Sequence, residues 1–176
     1  MDPRSRIIDT ACRLFYEQGY NSTGINQVIK EAGVAKASLY QHFPSKEDLL
    51  IEYLKVSSGS INQALQAAIE KYTGPREKIL GLFDFLLKFT KQSEFLGCNF
   101  LNVAAEIPKG NQKVNALVRK QKNVIRKMFA DLLAPLGKQH LADELYILFD
   151  AAFVSSKVYG ETWPVKTAKN IVKKLI

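Results

Sequence analysis

Lys36, Ala37, Tyr40 and Gln41 stand at i, i+1, i+4 and i+5 of one short stretch, so on a helix they share a face. That face carries a long cation, a methyl group, a phenol and an amide, and no acid. Such a set suits the base edges of a nucleic-acid duplex. A Lys ammonium donates to guanine O6 or N7, a Gln amide pairs with adenine, and an Ala methyl touches the methyl of thymine. Ser38, Tyr40, His42 and Lys46 add short or rigid donors and a further cation, which suit phosphate oxygens. Thr23 and Gly24 stand where backbone amides would open a helix, a place that favours a phosphate.

Other chemistries lack their residues. There is no Ser, His and Asp grouping, no pair of carboxylates in a polar segment and no Gly-rich phosphate loop, so no enzyme is expected and no catalytic residue is assigned. The two cysteines, Cys12 and Cys98, and the two histidines, His42 and His140, lie far apart, so neither a zinc site nor any other metal or cofactor is expected. Free thiols fit a reducing cytosol. No apolar core follows Arg4 and Arg6, and Asp84, Lys88 and Asp150 interrupt the longest apolar runs. The expectation is a cytoplasmic protein with no membrane partner. With 176 residues, 47% hydrophobic and 24% charged, the chain is long enough for a core and too apolar for disorder.

The elements that must hold the candidate face read as helices throughout, because apolar residues recur three and four apart. The first helix is expected over residues 4–18, with Ile7, Ala11, Leu14 and Phe15 inside and Gly19 as a left-handed end. Thr23 would N-cap a second helix whose inner stripe is Ile25, Val28, Ile29 and Ala32. Gly33 and Val34 break the chain, and a third helix follows over residues 35–42, with Ala35, Leu39 and Phe43 turned inward and Pro44 as its stop. Two short helices joined by Ala32-Gly33-Val34 form a helix-turn-helix, the arrangement that puts its second helix into a DNA major groove. Ser45 would cap the fourth helix, running to about residue 72 and loosened at Ser57-Ser58-Gly59-Ser60. Further helices are expected over residues 75–91, 99–107, 112–133, 141–159 and 164–175. The fold class is all-α, about nine helices, with a three-helix DNA-binding domain at residues 1–46 and a helical bundle at residues 47–176.

Residues 5–50 combine LF-x-x-x-GY, a Thr before the second helix, AGV at the turn, S-L-Y-x-H-F on the third helix and S-K-E-x-L on the fourth. This segment resembles the N-terminal domain of the TetR family of bacterial repressors. The resemblance implies a homodimer on a palindromic double-stranded DNA operator, released when a small inducer binds the C-terminal domain. Matched by motif, Thr23, Ser38, Tyr40, His42 and Lys46 take the phosphate-contacting roles, and Lys36, Ala37, Gln41 and Asn26 face the bases. Gly24 departs from the Ser or Thr common there and leaves only its backbone for a phosphate. Ile29 departs from the Ala common at the helix crossing, which would widen the angle between the second and third helices.

In the larger part, residues 79–89 read ILGLFDFLLKF, apolar on almost every side, as in a buried bundle helix. Pockets in bundles form between facing helices, apolar with a few polar groups. Phe83, Leu87, Cys98, Asn99, Asn102, Gln121, Ile125, Tyr146 and Ser155 are the candidates to line one. The Leu-Gly-Cys before the sixth helix resembles a subgroup that senses planar aromatic or multidrug-like compounds, so an apolar or aromatic inducer is expected. The resemblance also makes the last two helices the dimer surface, with Phe149, Ala152, Phe153, Ser156, Ala168, Ile171, Val172 and Leu175 as its contacts. The alternative is a DNA-binding regulator or architectural protein without an inducer, which would show a filled core in place of the pocket. The net charge of +8 argues little either way. Residues 1–55 hold seven Lys/Arg and seven Asp/Glu, so the whole surplus lies in residues 56–176.

Overall fold

The computed structural model describes residues 2–176, and all regular structure among them is helical. In chain order the helices are α1 (Pro3–Gln18), α2 (Ile25–Ala32), α3 (Lys36–His42), α4 (Lys46–Glu70), α5 (Pro75–Phe89), α6 (Asn99–Glu106), α7 (Gln112–Leu133), α8 (Ala142–Tyr159) and α9 (Trp163–Leu175). Two short 3-10 turns, Ala134–Leu136 and Gln139–Leu141, join α7 to α8. Among the described residues no helix is long and apolar enough to cross a membrane.

The chain divides into two compact units. The first holds the described residues up to Gly59 together with Asn99–Val118. In it α1, α2 and α3 pack on one another through buried Ile7, Ala11, Leu14, Phe15, Val28, Ala32, Leu39 and Phe43. Phe15 meets the edges of Tyr20 and Tyr53 at ring-centre distances of 5.4 and 5.6 Å. The second unit is Ser60–Cys98 with Arg119–Ile176. Its core runs from Leu65 and Ile69 through Ile79, Phe83 and Leu86 to Phe129, Leu145, Phe149, Val165 and Val172. Phe83, Phe129 and Phe149 meet there edge-to-face or tilted, with ring centres 5.5–6.2 Å apart.

Local chemistry explains most ends. Asp2 caps α1 by accepting the Ser5 N–H at 3.1 Å. Ser45 accepts the Asp48 N–H at 3.1 Å and donates its hydroxyl to the Asp48 carboxylate at 2.7 Å, which starts α4. Pro75 opens α5 at its first turn. Gly33 ends α2 in the left-handed region, φ +62°, with its N–H on the carbonyls of Ile29 and Lys30.

Four local expectations are corrected. Gly24, not Thr23, is the N-cap of α2, because the Thr23 hydroxyl is turned inward to the Gly19 carbonyl at 2.7 Å. Gly19 ends α1 with positive φ, +87°, but with extended ψ of 160°, outside the left-handed helical region. Ala35 is exposed and caps α3, so Leu39 and Phe43 alone turn inward. The Ser57–Ser60 stretch stays helical within α4, where Ser57 Oγ accepts the Asn99 side-chain amide at 3.0 Å.

Candidate nucleic-acid interface

The candidate face is built on α3. Leu39 and Phe43 are fully or nearly fully buried and fix the helix to its unit, while Lys36, Ala37, Tyr40, Gln41 and His42 are all exposed. Tyr40 is 40% exposed, so its phenol reaches solvent from a helix anchored on the opposite side. Ser38 is half-buried. The structure therefore brings the base-facing set onto one outward surface, with Asn26 and Gly24 also exposed at the start of α2.

The remaining candidates sit differently. Thr23 is 1% exposed, with its hydroxyl on the Gly19 and Leu14 carbonyls. It closes the turn between α1 and α2. Lys46 is half-buried, and its ammonium lies 4.3 Å from the centre of the Tyr20 ring, a cation–π contact. Burial lowers the Lys46 pKa, while the nearby Glu106 carboxylate acts in the opposite sense. On the flank, Arg13 bridges Glu17 at 3.1 Å and Glu31 at 2.5 Å, and Arg4 bridges Glu52 at 2.7 Å. These pairs set two cations of the first unit against three of its acids.

Comparison with known proteins bears on this unit first. Residues 7–53 match the family described as bacterial regulatory proteins, tetR family. A 79-residue stretch is 47% identical to the HTH-type transcriptional regulator LmrA of Bacillus subtilis (strain 168), over 44% of this chain and 42% of that one. The chain thus matches less than half the length of that relative. Over nearly its whole length it is similar to the crystal structure of SCO4454, a TetR-family transcriptional regulator from Streptomyces coelicolor, with a TM-score of 0.92 at 27% identity, covering 98% of this chain and 93% of that one. The family match thus rests on residues 7–53, and the likeness over the whole chain is to a TetR-family structure. The reduced form of NemR from E. coli shares the fold, with a TM-score of 0.86 at 22% identity over 99% and 97% of the two chains.

The ligand candidates fall into both units. Asn99 and Asn102 are in the first, and Phe83, Leu87, Cys98, Gln121, Ile125, Tyr146 and Ser155 in the second. Phe83 and Ile125 are part of the packed aromatic core, and Leu87 lies against it. Gln121 is buried and donates to Asn62 Oδ1 at 2.7 Å. Cys98 and Tyr146 join a polar cluster that sequence spacing did not foretell. Lys122 donates to Asp150 at 2.6 Å and to Cys98 Sγ at 3.4 Å, and the Tyr146 hydroxyl donates to Asp150 at 3.2 Å. Burial, with the Asp150 charge beside it, pushes the Tyr146 phenol up to about 12. A separate open groove of about 410 Å³ is lined by Gln66, Ile69, Lys78, Val124, Met128 and Leu132, none of them among the candidates.

The dimer candidates need correction. Phe149, Ala152, Ser156, Ala168 and Val172 are buried within their own chain, and Phe153 and Leu175 are half-buried against the same core. Of the eight, Ile171 is exposed. The open apolar face of α8 is instead Ile147, Ala151, Val154 and Val158, followed by Tyr159 and by Trp163 on α9. Helix α8 is apolar on opposite sides, and the tighter-packing side is the one its own core uses.

Proposed function

We propose that this chain is a DNA-binding transcriptional repressor that acts as a homodimer on a palindromic operator. The observation that carries the reading is the outer surface of α3, where Lys36, Ala37, Tyr40 and Gln41 are exposed together with no acid among them. LmrA is named a transcriptional regulator, and NemR a transcriptional repressor, in support of the same activity here. Residues 1–46 serve as the DNA-binding domain, and residues 47–176 sense and dimerise. Each subunit lays α3 in a major groove. Phosphate contacts from Tyr40, His42, Ser38 and Lys46 position it, and Lys36, Ala37 and Gln41 read bases, with Asn26 beside them. The Ile147, Val154 and Val158 face of α8 and the Trp163 and Ile171 face of α9 supply the second copy's docking surface.

An apolar or aromatic inducer binding among Cys98, Gln121, Tyr146 and Ser155 would release DNA by favouring the state that cannot bind it. A regulator without an inducer is the second reading, favoured by the burial of Phe83 and Ile125 in a filled core. Thermal-shift screening with hydrophobic compounds separates the two: a stabilising compound that also releases DNA supports the inducer. A gel-shift titration on the promoter DNA beside the protein's own gene tests the repressor itself. Lack of retardation at low salt sinks it.

A further inference from the structure

Asn99–Val118 belongs to the compact unit that carries the helix-turn-helix, although it enters the chain about forty residues after α4 has left that unit. It meets the unit on both sides of α2 and α3. On the near side Glu106, the last residue of α6, accepts the backbone N–H of Tyr20 at 3.2 Å and of Asn21 at 2.6 Å, one on each carboxylate oxygen. Asn21 returns a bond from its side-chain amide to the Glu106 carbonyl at 3.1 Å. Tyr20 and Asn21 form the turn into α2. On the far side the Asn111 amide donates to Glu47 at 2.6 Å, and the Lys113 ammonium lies 3.9 Å from Asp48. Those two acids are in the first turn of α4, directly after α3.

The piece that joins these contacts is braced from within. Asn111 Oδ1 accepts the Val114 N–H at 3.1 Å, the Asn111 N–H donates to the Pro108 carbonyl at 3.0 Å, and the Asn115 amide donates to that carbonyl at 3.1 Å. A carboxylate on two consecutive backbone donors makes charge-assisted bonds, stronger than neutral ones and strict in geometry. The helix-turn-helix thus lies between two attachments to one stiff segment. We propose that residues 106–113 form a two-point clamp that positions the helix-turn-helix, with Glu106 as its positioning residue. The clamp reaches the DNA-reading face through α6 and the start of α7, separately from α4. Its meaning for regulation rests on the DNA-binding reading above.

Amide hydrogen exchange on the full chain without DNA is the first test. In E106A the amides of Tyr20 and Asn21 exchange about tenfold faster, and those of α2 and α3 also speed up, while α5 and α8 are unchanged. E106Q keeps one side-chain carbonyl and recovers part of the protection, and N111A loosens the first turn of α4. With promoter DNA, exchange over residues 106–113 slows in the unaltered protein by reciprocity. E106A binds that DNA several-fold more weakly with an unchanged salt slope, because no phosphate contact is lost. Unchanged exchange at residues 20–42 in E106A overturns the clamp. So does acceleration spread equally over α5 and α8, which would be general destabilisation, and so does a changed salt slope, which would make Glu106 part of the contact surface. If the unaltered protein binds no DNA, the repressor reading fails on its own, and the DNA-free exchange still decides the clamp.

Discussion

The ammonium of Lys46 rests on the Tyr20 ring rather than extending freely into solvent, so a phosphate contact requires it to leave a cation–π partner. K46A should weaken binding to all DNA sequences alike and lower the salt slope by about one, as fluorescence anisotropy at several salt concentrations would record. Q41A should instead change base preference, and a uniform loss would remove Gln41 from the base-reading set. Two titrating groups show burial acting together with neighbouring acids. Burial, helped by Asp9 and Glu52, pushes the Cys12 thiol up to about 11 from 9.0. Alkylation of Cys12 at pH 8 should therefore run about a hundredfold slower in the folded than in the unfolded chain, as mass spectrometry of the labelled peptide would show. Tyr146, raised to about 12 from 10.0, keeps its proton in the folded chain longer than in the unfolded one. Its contribution to stability is complete below pH 10 and is lost as the pH rises toward 12. Denaturant midpoints across that range should fall less steeply for Y146F. The exposed side chains of α3 were legible from spacing alone, since period and polarity agree there. Thr23 was not, because a Thr before a helix reads equally as a cap or as a donor turned back into the preceding turn.

At the scale of the element, the helix-turn-helix depends on two different devices. Gly33 holds φ at +62°, where an L side chain is strained, so G33A should cost roughly 1 kcal/mol in chemical denaturation and weaken DNA binding with it. Ser45 and Asp48 cap α4 reciprocally, and S45A should cost about 1 kcal/mol by the same measurement. Both were visible in the sequence, because Gly at a helix end and Ser three residues before an acid have few other uses. The Ser-Ser-Gly-Ser stretch misled for a physical reason. A serine disfavours a helix while its side chain competes for the backbone, and Ser57 is engaged by Asn99 instead. The helix α8 misled through phase. Its 3.6-residue period predicts a helix, but with Phe149 and Ala152 on one side and Ile147 and Val158 on the other, period cannot say which side is spent inside.

For the whole molecule, the open faces of α8 and α9 are the proposed assembly surface. Ile147 is 61% exposed, Val158 73% and Trp163 44%, which is costly apolar surface for a chain that stays single. I147E with V154E should convert a dimer to a monomer in sedimentation and abolish binding to a two-half-site operator, while thermal unfolding of the single chain changes little. The surplus charge belongs to this scale too: Lys122 pairs with Asp150, Arg126 with Asp143, Lys127 with Asp131 and Lys169 with Asp84, each cation against one acid, so the net +8 is unchanged by them. The place of Asn99–Val118 in the first unit has one more consequence, which concerns synthesis. Phe100, Val103, Val114 and Val118 are buried there, so the N-terminal residues alone lack part of their interior. At roughly 5–20 residues per second, the ribosome leaves the emerging first unit incomplete for several seconds. During that time the α1–α2 turn has no Glu106 to hold it. The unit that would read DNA is translated first and finished late.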